Sequence, residues 1–432
     1  MIKHISILFI TSVLYLFSTN LQVENNDIIL ENADSLIGTA LDNFTFREFY
    51  GNVKLKHRDV IVKCNYAKQY IEQNKADLLG NVKINQNTML LQSPRINYDG
   101  NLGFAYAYDS VSIIDLKTRL TANEGTYDVK NYIADFLVDV EIEDDSVKIF
   151  ADRIIYNRQN RISKAYGDVF IKGKFTDVLI TADTIISNPN KNYSLAFGEP
   201  ILYKIDTTFI DDTLDIENQL MQFDTLTITA DTMESFREPE NEFYKFSKNV
   251  EIVKGDIIAK SDEAIYSKDL IILKNKPIVW YGETQLYADS IIIKLENNNL
   301  KNIYTYKNSI MVTRHDSTDN ERFNQISGID IIIDLDSSKI SGMTAIGEAK
   351  SLYYFLDDND NNGVDRKSTD TIKVKFDAGE VDKIHWIGLT VGEFFPENLV
   401  FDEPQKFNLP LFKWNDNKPK RKNLILRSSV KM

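Results

Sequence analysis

Gly51-Asn52-Val53-Lys54-Leu55 returns as Gly80-Asn81-Val82-Lys83-Ile84 and again as Gly167-Asp168-Val169-Phe170-Ile171. Asn249-Val250-Glu251-Ile252 and Pro277-Ile278-Val279-Trp280 continue the series. Gly-Asn and Gly-Asp are turn chemistry, and the apolar residues that follow them alternate as in a strand. A second mark lies between these copies: a small residue, then Asp or Asn, then alternating apolar residues. It reads Ala33-Asp34-Ser35-Leu36, Cys64-Asn65-Tyr66-Ala67, Ala151-Asp152-Arg153-Ile154, Ala182-Asp183-Thr184-Ile185 and Ala288-Asp289-Ser290-Ile291. The steps from Asn123 to Asp152 and from Asp152 to Asp183 are nearly equal. A unit of about 29 residues therefore holds two strands and two turns, and units of that size mark stacked repeat architectures. Beyond the N-terminal segment no stretch sustains a 3.6-residue apolar period. The sequence predicts an all-β fold, a long antiparallel stack of two-strand repeats. About eleven units, each giving one strand to each of two sheets, would make a stack of roughly 50 Å.

Two intervals break the rhythm. From Asp183 to Asp231 the step is more than one and a half units, and the acidic stretch Asp206 to Asp224 lies within it. From Asp289 to Asp330 the step is again too long for one unit. A bend or split of the stack is expected near residues 205–222.

The bulk of the chain agrees with this. It has 432 residues, 43% of them hydrophobic, with 21 Tyr and 24 Phe. That is globular, strand-forming composition. The net charge of −14 argues against a nucleic-acid partner, which needs a basic face. Cys64 is the only cysteine, so neither an internal disulfide nor a cysteine-based zinc site can form. At the N-terminus Lys3 and His4 precede the apolar run Ile5 to Phe17, the layout of a secretory signal peptide over residues 1–22. The alternatives are an uncleaved anchor, although the run is shorter than the ~20 residues of a membrane span, and a buried N-terminal element.

No catalytic constellation emerges. No G-x-S-x-G, H-E-x-x-H or P-loop pattern occurs, and nothing isolates a carboxylate pair from 64 acids. Asp357 to Asp365 imitates the first half of a calcium loop, but Thr369 stands where the last acid is required, so a polar hairpin is expected. The repeated Asp residues are expected on the outside near strand ends rather than as a metal ladder. Lys418, Lys420, Arg421 and Lys422 read as a solvated basic tail within residues 401–432. No metal and no cofactor are implied.

These motifs resemble the OstA-like/LptA family, whose name refers to organic solvent tolerance. The resemblance is carried by the Gly-Asn-Val copies, by Val62-Lys63-Cys64-Asn65-Tyr66-Ala67, by Ala151 to Tyr156, by Asn324-Gln325-Ile326-Ser327-Gly328 and by Gly392-Glu393-Phe394-Phe395-Pro396. It implies a periplasmic β-jellyroll of two facing sheets that carries lipopolysaccharide toward the outer membrane, with acyl chains lying between the sheets. The break in the repeat spacing would divide the chain into jellyroll halves at 28–205 and 222–400. The inward candidates for an apolar lipid trough are Val53, Leu55, Val82, Ile84, Val169, Ile171, Ile180 and Ile186. Expected partners are lipid A acyl chains and the inner- and outer-membrane components of lipopolysaccharide transport. The latter would be met end to end by strand addition at Ala33 to Ile37 and Thr371 to Phe376. The chain is longer than a minimal single-jellyroll carrier, and it has no recognisable outer-membrane barrel domain. A structural envelope scaffold and a carbohydrate-active β-solenoid enzyme are the competing readings.

Overall fold

The computed structural model describes residues 26–423, apart from 42–43, 175, 206–224, 239–240, 297–298, 317–320, 337–338, 358–359 and 378–379. The signal segment and nearly all of the 205–222 region lie outside the described residues. Among the described residues 30 strands form one antiparallel sheet, and the helical turns near residues 189, 397 and 404 are short. The architecture is all-β, with the strands of the sheet folded over on themselves.

The fold turns on one local device. Gly51 and Asn52 both have positive φ (67° and 46°), yet they do not end a strand: Phe44–His57 runs straight through them. The same left-handed pair recurs at Gly80-Asn81, Asp109-Ser110, Val138-Asp139 and Gly167-Asp168, one repeat unit apart each time. Each pair is a corner at which the sheet folds over. In the Phe44–His57 and Val60–Tyr70 ladder, two residues of one strand (Gly51, Asn52) oppose one of the other (Asn65), which is the geometry of a β-bulge. Across the corner the buried positions step from Val60, Val62 and Cys64 to Ala67 and Gln69. The odd step keeps apolar side chains inward on both sides of the fold.

The second mark serves the same corner. A Cβ on Gly51 would lie 2.2 Å from the Asp34 carboxylate; on Gly80, 3.0 Å from Asn65; on Gly167, 2.3 Å from Asp152. Glycine is required there both by conformation and by this close approach. Asn52 donates to both Asp34 oxygens, and Asn249 does the same to Asp231. The repeated acids are corner supports.

Folding along the corners produces two legs. Leg one contains Phe44–Tyr50, Tyr66–Tyr70 and Lys75–Leu79; leg two contains Val53–His57, Val60–Cys64 and Val82–Gln86. Where the chain makes short hairpins, both legs are still continued. Phe104–Tyr108 and Glu124–Asp128 extend leg one, while Val111–Asp115 and Thr118–Ala122 extend leg two. Among the described residues fourteen strands serve both legs, eight serve leg one alone and eight serve leg two alone, so each leg is 22 segments wide. At about 4.8 Å per strand the stack is roughly 100 Å long, twice the length expected from the sequence. The Gly-Asn pairs read as hairpin turns; because they are corners, a strand that passes through one contributes to both legs. One apolar core between the legs runs from Ile28 to Val374.

The ladder continues on either side of residues 206–224, since Ile201–Lys204 pairs with Leu226–Thr229 and Tyr193–Phe197 with Thr232–Glu238. At one end the edge is Ile29–Asn32 and Ser35–Leu41, which includes most of the expected Ala33 to Ile37. At the other end Thr371 to Phe376 is not an edge. It lies within Asp360–Asp377, paired on one side to Lys339–Asp357 and on the other to Glu380–Ile387. Glu380–Ile387 and Val391–Pro396 are the terminal strands.

The tail also differs from expectation. Residues 401–423 lie along the outer face of leg two, held by their apolar residues, while Lys418, Lys420, Arg421 and Lys422 are exposed as expected. Val400 and Leu409 are buried against Ile310, Val312, Leu352 and Tyr354, with Phe412 and Trp414 beside them. Buried Gln285 exchanges two hydrogen bonds with the Asn415 backbone (2.9 and 3.0 Å), and the Trp280 indole donates to the same carbonyl. Apolar residues upstream of the basic cluster hold the tail down. Lys418 donates to the Gly282 carbonyl, and Tyr203 to that of Asn423.

Candidate binding cavity

The free ends of the two legs either meet or part, and the first third of the stack shows them meeting. His57 at the tip of leg two touches Tyr98 at the tip of leg one, Nδ1 to hydroxyl, at 2.6 Å. One repeat later Tyr127 donates to Gln86, whose amide donates to the Val129 carbonyl at 3.3 Å. One repeat further, Asp115 meets Arg158 (Nε to Oδ2 2.8 Å), which also donates to the Tyr127 hydroxyl at 2.8 Å. His57, Gln86 and Asp115 hold the same place in successive units, as do Tyr98, Tyr127 and Tyr156. These are the rungs of a zipper. His57 Nε2 faces the Asn26 carbonyl at 3.1 Å, so it carries the proton and Nδ1 accepts from Tyr98. Burial, with Arg58 nearby, holds the imidazole below its ordinary pKa of 6.5. For Asp115 burial acts upward, but Arg158 and Thr88 outweigh it and hold the carboxyl low.

The fourth rung is missing. Asp144 follows Asp115 by one unit, but its carboxylate accepts from the backbone of its own turn, Ser146 and Val147 (2.7 and 2.9 Å). On leg one the tyrosines also stop. Four positions beyond the corner supports Asp152, Asp183, Asp231 and Asp262 stand Tyr156, Ser187, Ser235 and Tyr266. All four face inward and are buried. Two rings in succession are replaced by hydroxymethyl groups, and a cavity of about 1390 Å³ opens there between the legs. That exceeds the roughly 300–1,000 Å³ of a pocket for a drug-sized ligand.

Its interior is apolar: Ile171, Val178 and Ile180 from leg two face Ile185, Ala196 and Met233 from leg one. Its mouth is charged with both signs, including Lys204, Arg237, Lys268 and Lys294 with Asp144, Asp177 and Glu242. Lys204 and Asp177 are paired at 3.5 Å. Along leg one, Ser194 donates to Ser187 and receives from Arg237, both at 3.2 Å, so a hydroxyl line leads from the interior to a guanidinium at the rim. Burial pushes Tyr266, which lines the far side of the cavity, up to about 12. Nothing in this set supplies a nucleophile with an adjacent base. Such a cavity can hold an apolar body and greet a polar head.

The eight residues expected to line a trough fall into three groups. Val53, Leu55, Val82, Ile84 and Val169 are inward but sealed in the closed core. Ile171 and Ile180 line the cavity, with 9% and 7% of their surface open against 0% for Ile84. Ile186 lies on the outer face, opposite Lys164 and Leu195, because the corner at Asp183 shifts the parity and turns Ile185 inward instead. Sequence reasoning missed the decisive serines, although the once-per-unit series Tyr98, Tyr127, Tyr156 held the signal.

Other candidates resolve structurally. Among the described residues no group of three or more His, Cys, Asp or Glu could hold a metal. Asp357 and Asp360 pair across the tip of a hairpin. Cys64 is buried, and its thiol is pushed up to about 11 by desolvation.

Residues 25–183 match the family described as OstA-like protein. Over these residues the chain is similar to that family. The match covers the three zipped rungs and leg two's wall of the cavity up to Ile180; Ser187, Met233 and Ser235 lie beyond it. The family is one of transport and binding rather than catalysis. No curated protein matches the chain.

Proposed function

We propose that the chain is a periplasmic lipid carrier in the transport of lipopolysaccharide to the outer membrane. The observation that carries this reading is the mid-stack cavity, with an aliphatic interior and a charged mouth between the legs of an OstA-like jellyroll. An acyl chain gains about 0.8 kcal/mol per buried CH₂, so it can be held without any catalytic group. Docking to other transport components would use the two ends. Ile29, Leu36 and Ile37 are exposed on the first edge; Val381, Ile387, Val391 and Phe394 are exposed on the last. Unpaired edges accept further strands. Lipid extracted from the chain after purification from native envelopes and analysed by mass spectrometry should contain lipid A. A chain that carries no acylated lipid rules this reading out.

A further inference from the structure

We infer that the cavity is a closed-ended compartment for a single acylated lipid, loaded sideways between the leg tips, and not one stretch of a channel running the length of the stack. The inference rests on the carrier reading and decides between two ways of executing it. A through-channel would need an open apolar lane from one edge strand to the other. From Val53 to Ile154 no such lane exists. The inward side chains Val53, Ile84, Leu91, Ile96, Phe136 and Ile154 have at most 1% of their surface open to a water-sized probe. Three cross-leg rungs lock the mouth over the same stretch. Inward Tyr244 and Tyr266, stacked at 6.1 Å between ring centres, line the cavity, which reaches on to Leu295 and Asn302; beyond it the inward Ile303, Ile331 and Ile333 have at most 1% of their surface open and close the other side.

The compartment is therefore bounded by the zipped segment up to Tyr156 on one side and by the closed core from Ile303 onward on the other. Its charged mouth lies between the leg tips. A lipid moving along the stack would have to displace Tyr156 and then break the buried Asp115–Arg158 pair. A lipid entering from the side breaks neither. The hydroxyl line from Ser187 through Ser194 to Arg237 gives its headgroup a polar route at the rim while the chains enter between Ile180 and Met233.

Native mass spectrometry of the full chain with purified lipid A tests this. One lipid A per chain is expected at saturation. The double variant Ser187→Tyr/Ser235→Tyr restores the ring found one repeat earlier and should lower lipid A binding by about tenfold or more. Two or more lipids per parent chain, or unreduced binding by a folded tyrosine variant, overturns the single compartment and leaves the carrier reading standing. A parent chain that binds no lipid A overturns both. The stoichiometry of the parent decides the matter even if the tyrosine variant fails to fold.

Discussion

The first third of the stack and its middle are built from the same repeat, with the same corners, the same register and the same inward parity, yet one is zipped shut and the other holds a large cavity. The difference comes down to what occupies two positions of the unit. Where leg one presents Tyr98, Tyr127 and Tyr156 and leg two answers with His57, Gln86 and Asp115, the tips meet. Where leg one presents Ser187 and Ser235, and Asp144 turns back to its own loop, they part. A repeat fold thus acquires a site by omission: the backbone is kept and one ring per unit is withheld.

The comparison is broken most severely by moving the middle's residue into the zipped part. Tyr127→Ser removes a fully buried ring and the donor to the Gln86 side-chain oxygen. A large-to-small change of this kind costs about 3–5 kcal/mol, with an added penalty for the buried acceptor left without its donor. Denaturant unfolding should show a loss at the top of that range, and lipid A should then reach the zipped segment in photocrosslinking. A chain that tolerates Tyr127→Ser within about 1 kcal/mol would mean that the rung is not what closes the legs.

Arg158→Met comes next. The Arg158 and Asp115 side chains are 7% and 8% exposed, so removing the cation leaves a buried carboxylate without its charge partner, at a cost of about 3–5 kcal/mol. Asp115 titrates low in the folded chain. The pair therefore stabilises above the ordinary carboxylate range and is lost only as pH falls through that depressed value. In the variant the acid sensitivity should move upward, measurable as the pH at which half the chain is unfolded.

The first rung titrates higher. His57 is held neutral, below 6.5, by burial. The unfolded chain then takes up a proton that the folded one refuses, so stability is complete above about pH 6.5 and declines as pH falls below it. Hydrogen exchange near Tyr98 and Ile28 should quicken between pH 6.5 and 5 in the parent, and His57→Gln should flatten that response. An unchanged pH profile in His57→Gln would assign the acid sensitivity elsewhere.

How much of this is legible in the sequence follows from which residues speak locally. Gly-Asn pairs and Asp or Asn marks recurring about every 29 residues are local signals, and they disclose the all-β repeat. Their geometry is not local. Gly51-Asn52 has the left-handed conformation of a hairpin turn, but the chain continues from Tyr50 to Val53 within one strand, so sequence alone reads the corner as a turn and the stack as half its length. The cavity is harder still. It depends on Ser187 and Ser235 being compared with tyrosines one and two units away, across the stretched interval between Asp183 and Asp231. Ile186 looks inward because plain alternation from Ile180 ignores the odd step at a corner. The tail is read by its lysines, although Leu409, Phe412 and Trp414, just upstream, decide where it goes.

One corner departs from the rule and offers a small gain. Val138 occupies the left-handed position at φ 65°, where the other corners of the regular run place Gly or Asp. A β-branched residue is strained there by about 1–2 kcal/mol, and Val138 is half exposed, so it returns little in packing. Val138→Gly should raise the unfolding midpoint by an amount equivalent to about 1 kcal/mol, less the entropy glycine adds to the unfolded chain. A lower midpoint would show that the Val138 side chain has a contact that outweighs the strain.

The smallest effect tests what the repeated acids are for. If Asp152 supports its corner by shape, filling the space above Gly167, then an amide of the same outline should serve as well. Asn65 already does this above Gly80. Asp152→Asn should therefore change stability by less than about 0.5 kcal/mol, within the range of neutral surface substitutions. Gly167→Ala is the matched counter-test. Its Cβ would meet the Asp152 carboxylate at 2.3 Å, at φ 74°, so it should cost at least about 1–2 kcal/mol, as a left-handed alanine does. If instead Asp152→Asn is the more damaging of the two, the charge at the corner has a role of its own, and the acids along the fold would have to be reconsidered as a binding ridge.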